Sequence, residues 1–442
     1  MSELDLIVRG GRVVTGGHVT IADIGVAEGV ITALGPNLAA VADHEVDATG
    51  MHVFPGGVDS HVHFNDPGRT EWETIAAGSA ALAAGGYTCF VDMPLNNLPV
   101  TTTAKAFDLK LDAAQRTSIL DFGLWGGLVP GNLGHLEELA ARGVIGFKAF
   151  MCPSGIDEFP ACDETVLREG MKRIGDLDSI LLVHAEDPAA LHPPGGTGWR
   201  DYVKSRPPDA EWMAIYQAIA LAAETGCRLH IVHVSTKHGI ELVDEAHRHG
   251  IDVSAETCPH YLLYSSGDLD RLGGVGKCSP PFRTNDDRDG LWRQLADGVL
   301  QMIVSDHSPS TLELKQGADF FKLWGGISGC QSTRQLVLWQ AQALSIGPAT
   351  IAAATATNIA RRFGLARKGE VAVGFDADLW LADLSVDGIV RREDLLYRNQ
   401  FSAHEGMPIH GRTAMTMVRG HTAVKDGRVD RTSRGRLIKP ER

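Results

Sequence analysis

Eight short β-branched or apolar runs alternate with amphipathic helical stretches through the middle of this 442-residue chain, and no other feature limits the fold more. The runs lie at 53–63, 87–93, 120–128, 144–151, 180–186, 228–235, 252–257 and 302–308. The helical stretches include 71–84, 164–173, 210–225 and 239–249. Eight strand–helix units in about 310 residues is the count of a (β/α)8 (TIM) barrel, an α/β fold. An open doubly wound sheet would bring G-x-G-x-x-G after its first strand or a G-x-x-x-x-G-K-[ST] loop, and neither occurs.

The two chain ends read differently. Short strands at 6–8, 12–14 and 31–34 are cut by Gly10-Gly11 and Gly35-Pro36, and strands at 378–381 and 416–418 are punctuated by Gly420 and Gly427. Neither end has enough strands to stand alone. Residues 1–54 and 365–442 are therefore expected to form one small β-sandwich beside a barrel of 55–364.

The charge balance narrows the partners. Lys and Arg total 41 against 55 Asp and Glu, a formal net charge of −14. A general nucleic-acid binder would carry a basic face, and so would a protein that adheres to an anionic membrane. No run of 18 apolar residues is long enough to span a bilayer. Seven scattered cysteines, an odd number with no C-x-x-C pair, fit reduced thiols. With an acidic N-terminus lacking a signal-peptide pattern, the expected location is the cytoplasm.

Barrel enzymes carry their chemistry at the C-terminal ends of the strands. Here those ends hold His61 and His63 on the first, Lys148 on the fourth, His184 on the fifth, His233 on the sixth and Asp306 on the eighth. Residues two apart on a strand share a face, so His61 and His63 can grip one cation. Imidazole and carboxylate suit zinc, and also Mn, Co or Fe. The set is too large for one tetrahedral ion and sufficient for two. Lys148 is the odd member, because an ammonium has no lone pair for a metal and burial of an unpaired one is costly. Its neutral amine can react with CO2 to give a carbamate, an anionic bridging oxygen ligand. His230, three residues before His233, is expected on the opposite face, towards the helices. His192, His238, His247 and His249 read as solvated. No G-x-S-x-G or H-E-x-x-H motif offers another chemistry.

This constellation, with Phe54-Pro55-Gly56-Gly57-Val58-Asp59-Ser60-His61-Val62-His63 before it and Gly374-Phe375-Asp376-Ala377-Asp378-Leu379 after it, resembles the amidohydrolase superfamily. The branch is that of the cyclic amides: dihydroorotases, hydantoinases and allantoinases. The resemblance implies a first-metal pair at His61 and His63, a carboxylated bridging lysine at Lys148 and second-metal ligands at His184 and His233. It makes Asp306 both a ligand and the catalytic group that shuttles the proton. Segments 66–73, 93–96, 146–151, 256–261 and 324–329 look most like allantoinases. A dihydroorotase usually has an Arg two residues after the second histidine, where this chain has Asn65, so an uncharged substrate is expected; Arg69 is the nearby substitute that keeps the other reading open. Many hydantoinases carry a Tyr shortly after the bridging lysine, where this chain has Phe150-Met151-Cys152. The oxyanion donor is then Ser154 or a backbone N–H of its loop.

The expected reaction is hydrolysis of the ring amide of allantoin to allantoate, with two divalent metals, zinc first among them. The alternatives are 5-substituted hydantoins and then dihydroorotate. A non-catalytic relative is disfavoured because all six ligand positions are filled. Asn96, Ser279 and His260 are candidate substrate contacts, each with an equal reading as a turn or packing residue. The loop 152–160 is expected to cover the site. The resemblance also implies a homo-oligomer, a tetramer or a dimer.

Overall fold

The computed structural model describes residues 4–15, 17–432 and 435–441. The first three residues of the acidic N-terminus lie outside the described residues.

Strands from both chain ends join one nine-stranded sheet. The joint is the short strand His52–Pro55, which runs parallel to Leu4–Thr15 and antiparallel to Leu379–Ile389. Its register sets Val13 against Val53 on one side and Trp380 against Phe54 on the other. Inward residues from both ends, among them Leu6, Val8, Ile24, Val53, Leu381 and Met417, bury into one shared apolar cluster. Neither end could bury its apolar face without the other.

The run 53–63 proves to be two elements. His52–Pro55 belongs to the end sheet and Gly57–Val62 is the first barrel strand. The crossing needs glycine, because a Cβ on Gly56 would lie 2.2 Å from Thr88 and one on Gly57 2.5 Å from the Tyr87 ring. The next barrel strands are Tyr87–Asp92, Asp121–Leu124 continued by Gly126–Gly127, Phe147–Phe150, Ile180–His184, Arg228–Ile231 and Val253–Ala255. The third position is interrupted at Trp125, whose indole N–H donates to Ser60 O at 2.9 Å.

The eighth run forms no continuous strand. It closes the ring through isolated parallel bridges, Thr257 to Ile303 and Val62 to His307. The reason is local: Asp306 has φ of +43°, outside the extended region. Asp59 reinforces the closure by accepting the Ser305 N–H at 3.2 Å.

The helices begin where the sequence offers a cap. Thr74, Thr103, Asp163, Thr236 and Thr284 each accept a backbone N–H from the first turn of the helix that follows. Their inner faces follow the helical period, as with Leu167, Met171 and Ile174 in the helix Glu164–Asp176. All seven cysteines are free and buried. Among the described residues no helix is long and apolar enough to cross a membrane.

Candidate metal centre

Parallel strands in register deliver their side chains to one place. Lys148 pairs with Leu182 and Phe150 with His184, so Lys148 and His184 look into the barrel. His61 and His63 come from the first strand end, His233 from the sixth and Asp306 from the irregular eighth. All six are buried, the most open being Asp306 at 9% exposure. His61 Nε2 and His63 Nε2 lie 3.2 and 3.5 Å from Asp306 Oδ1. His184 Nδ1 lies 3.0 Å from His233 Nε2. His61, His233 and Asp306 bring ligand atoms within 4.8 Å of one another.

The donor set fits divalent cations. Burial pushes the histidine protons off: His63 and His184 titrate below their ordinary value and His233 well below it, so neutral imidazoles face inward. Burial would raise Asp306, but His61 and His63 outweigh it and keep the carboxylate ionised. The Lys148 Nζ is buried with no hydrogen-bond partner among the described residues. Desolvation lowers it to about 7, although Glu256 and Asp306 pull the other way. Near neutral pH much of this amine is therefore unprotonated.

Two carboxylates that the sequence reading missed fix the histidines. Glu256 Oε1 lies 2.6 Å from His61 Nδ1, and its other oxygen lies 3.1 Å from His230 Nε2. Glu186 Oε2 lies 2.7 Å from His184 Nε2. The Leu95 carbonyl is 3.4 Å from His63 Nδ1. A proton held on each of these outer nitrogens leaves Nε2 of His61 and His63, and Nδ1 of His184, free to ligate. Burial would raise both carboxylates. His61 and His230 hold Glu256 at about 2, and Arg206 and His184 hold Glu186 well below its usual range. The signal was available, since Glu186 stands two residues after His184 and Glu256 two after Ser254, on inner faces.

His230 departs from expectation. It is in register with Leu182, hence with Lys148, and faces the barrel interior beneath the candidate ligands. Its Nδ1 lies 2.7 Å from Ser254 Oγ. The three-residue spacing misled because His233 has φ of +39°, which breaks the strand alternation between the two histidines. His192, His247 and His249 are exposed, as expected, whereas His238 is half-buried, packed edge-on against Trp212 at 4.7 Å with its Nδ1 3.0 Å from Glu241.

The candidate ligands open on a cavity with apolar and cationic lining. Its apolar lining includes Leu95, Leu323 and an edge-on Trp72–Trp324 pair 4.6 Å apart. Cations line the cavity as well: Arg206 and Lys277 lie 5.9 and 4.8 Å from the Tyr202 ring, and the Lys277 ammonium donates to Phe321 O and Leu323 O at 3.0 and 2.6 Å. Arg206 holds Glu186 through two donors, at 3.0 and 2.5 Å. Tyr202, remote in sequence from Lys148, thus brings a ring to the wall, and its hydroxyl donates to Cys278 O at 3.0 Å.

The candidate substrate contacts divide. Asn96 and Ser279 line the cavity. Ser154 also lines it, as do Pro153 and Gly155 of the loop expected to cover the site. The Ser154 hydroxyl is engaged in its own loop, 2.6 Å from Phe159 O, and is not free to serve an oxyanion. Arg69 ties that loop down through Glu158 at 3.5 Å. His260 is not on the wall: it is fully buried in the short helix Pro259–Leu263, packed on Tyr261 and Phe282 behind Asp306. Asn65 is a buried turn residue with φ of +59° whose amide donates to Pro309 O.

Known proteins bear on this arrangement. Residues 52–423 match the amidohydrolase family. The chain is 49% identical to the allantoinase of Rubrobacter xylanophilus over 100% of this chain and 99% of that protein. It is 44% identical to the allantoinase of Deinococcus radiodurans over 99% of both. Among solved structures, the L-hydantoinase (dihydropyrimidinase) of Arthrobacter aurescens superposes with a TM-score of 0.95 at 32% identity, covering 99% of this chain and all of that one. Family match, full-length identity and backbone shape agree, and this chain belongs to the amidohydrolase family.

Proposed function

We propose that this protein hydrolyses the ring amide of allantoin to give allantoate. The carrying observation is the desolvated Lys148 amine, without a hydrogen-bond partner among the described residues, beside four histidines and Asp306. The choice of allantoin rests on the full-length allantoinase relatives.

His61, His63 and Asp306 would hold one divalent cation and His184 and His233 a second, with Lys148 bridging once carboxylated. Zinc suits these ligands first, and Mn, Co or Fe are the alternatives. When bound, the ions acidify a water and polarise an amide carbonyl. The Lys148 amine attacks CO2, a C–N bond forms and the amine proton leaves, giving the carbamate. Glu256 and Glu186 keep the histidines in ligating tautomers throughout. Asp306 accepts the proton of the attacking water and delivers it to the leaving ring nitrogen. Arg206, whose Nε and Nη2 hold Glu186, offers its remaining guanidinium N–H groups to the neutral ureido tail, and the Trp72–Trp324 pair excludes water from the ring.

A second reading, a hydantoinase, draws on the hydantoinase fold match and on Tyr202 at the cavity wall. One assay panel separates the two. Metal-loaded protein with bicarbonate is given allantoin, 5-alkyl and 5-aryl hydantoins and dihydroorotate. The proposal expects the highest kcat/KM on allantoin, whereas preference for an alkyl or aryl hydantoin establishes the second reading. The same preparation is expected to be a homo-oligomer, tetramer or dimer, and the enzyme to work in the cytoplasm.

A further inference from the structure

His233 holds a backbone conformation that residues bearing a side chain rarely adopt, with φ of +39°. Such conformations persist only where the surroundings over-determine them. The chain leaving His233 runs directly into a buried carboxylate. Glu211, in the first turn of the helix Pro208–Thr225, is 2% exposed and accepts four hydrogen bonds. The Ser235 N–H and O–H donate to Oε2 at 3.1 and 2.5 Å. The Thr236 N–H and O–H donate to Oε1 at 3.1 and 2.6 Å. Arg283 completes the set: its Nε donates to Ser235 Oγ at 2.9 Å, and its Nη2 lies 3.9 Å from Glu211.

Thr236 also caps the helix Lys237–Arg248, accepting the Gly239 N–H at 3.1 Å. A Cβ on Gly239 would lie 2.7 Å from Val234 and 3.1 Å from Glu211 Oε1, so glycine permits this approach. Two helix starts, one arginine and one carboxylate therefore converge on the two residues after Val234. Nothing in the proposed chemistry uses Glu211.

We propose that Glu211 is a positioning residue for the metal centre: by gripping Ser235 and Thr236 through four donors, it holds His233 in the left-handed conformation that sets Nε2 beside His184 Nδ1. The inference rests on His233 being a metal ligand. Both carboxylate oxygens accept, so a glutamine of the same size must turn an N–H2 group towards two of the four donors. That half of the grip is lost, and His233 relaxes.

The test reads metal binding as well as turnover, in the full-length protein. Zn2+ affinity is measured by competition with a chelator, and the visible spectrum of the Co2+ form reports the ligand set. For Glu211→Gln we expect one of two metals to bind about 10–100-fold more weakly, the Co2+ spectrum to change, and kcat to recover as metal is raised while KM stays near wild type. Ser235→Ala, which removes one donor and keeps the rest, should weaken the same metal by a smaller factor. His233→Asn must lose that metal outright. A folded Glu211→Gln protein with wild-type metal affinity and Co2+ spectrum overturns the inference, even if its Tm is lower. So does a Glu211→Gln protein that does not fold beside a Ser235→Ala protein with unchanged affinity. If His233→Asn keeps both metals, the ligand reading itself fails and takes the inference with it.

Discussion

Two lysines are buried to nearly the same degree, one at the barrel mouth and one where the barrel meets the end sheet, and their surroundings are opposite. Lys148 has no hydrogen-bond partner among the described residues, and burial drives it down to about 7. Lys368 meets Asp121, Asp378 and Asp376 at 2.5, 2.8 and 2.9 Å, and these carboxylates overcome burial and hold it above the ordinary lysine range. Arg419 adds a second cation on Asp121. The three aspartates are close enough to suggest a metal site by spacing alone. The contrast teaches that proximity of ligand atoms is a weak criterion. The junction cluster already contains its counter-charge and is complete, whereas the mouth cluster holds an amine, four imidazoles and one carboxylate that satisfy one another poorly.

The largest expected effect sharpens the mouth side of this contrast. Asp306→Ala should lower kcat by about 10²–10⁴-fold while the protein stays folded, the effect that losing the proposed proton shuttle would have. Wild-type kcat in a metal-loaded variant would end that assignment. Lys148→Ala should lose metal together with activity, and a short-chain carboxylate added to the assay should restore part of both. Metal content and turnover measured with and without acetate or propionate decide it; a variant that keeps full metal content without rescue contradicts the bridging role.

Lys368→Met should break the comparison from the other side. Removing one partner of a buried ion cluster leaves uncompensated carboxylates, worth about 3–5 kcal/mol of stability. Denaturant melts should show this loss, while kcat/KM of the folded fraction changes little. A large catalytic loss at unchanged stability would mean the junction is not merely structural.

A smaller effect comes from His404, a buried base with neither counter-charge nor ligand role. Burial lowers it to about 3, with nearby His260 adding to the shift. Its neutral form is the one the fold accepts, and the unfolded chain binds a proton near pH 6.5. Stability from this group is therefore complete above about pH 6.5 and is lost progressively as the pH falls towards 3. Between pH 7 and pH 5 the loss is about 2 kcal/mol. Melts of wild type and His404→Gln should converge as the pH falls; equal pH slopes in the two proteins contradict the assignment.

How much was legible beforehand follows from the same physics. The six candidate ligand positions stood out because strand ends concentrate polar groups in otherwise apolar runs, and the parity of His61 and His63 is fixed by the pleat. Local parity failed at His230, because a single left-handed residue at His233 resets it. It also failed at 53–63, where one β-rich run conceals a change of sheet at Gly56. The eighth run reads as a strand by composition, yet Asp306 bends out of the ladder to reach His61 and His63. Arg206, Tyr202 and Lys277 were not readable as cavity lining, because they reach the cavity from segments whose approach only tertiary packing decides.

The strand His52–Pro55 has a consequence for the newborn chain. Its antiparallel neighbour, Leu379–Ile389, leaves the ribosome more than three hundred residues later. At ordinary elongation rates that delay is about 20–60 seconds. Throughout it, the first fifty residues display unsatisfied strand edges in the crowded cell. The barrel can assemble vectorially, but the N-terminal hairpins must wait for the strand Leu379–Ile389, and that interval is the window in which a chaperone or a neighbouring polysome could capture them.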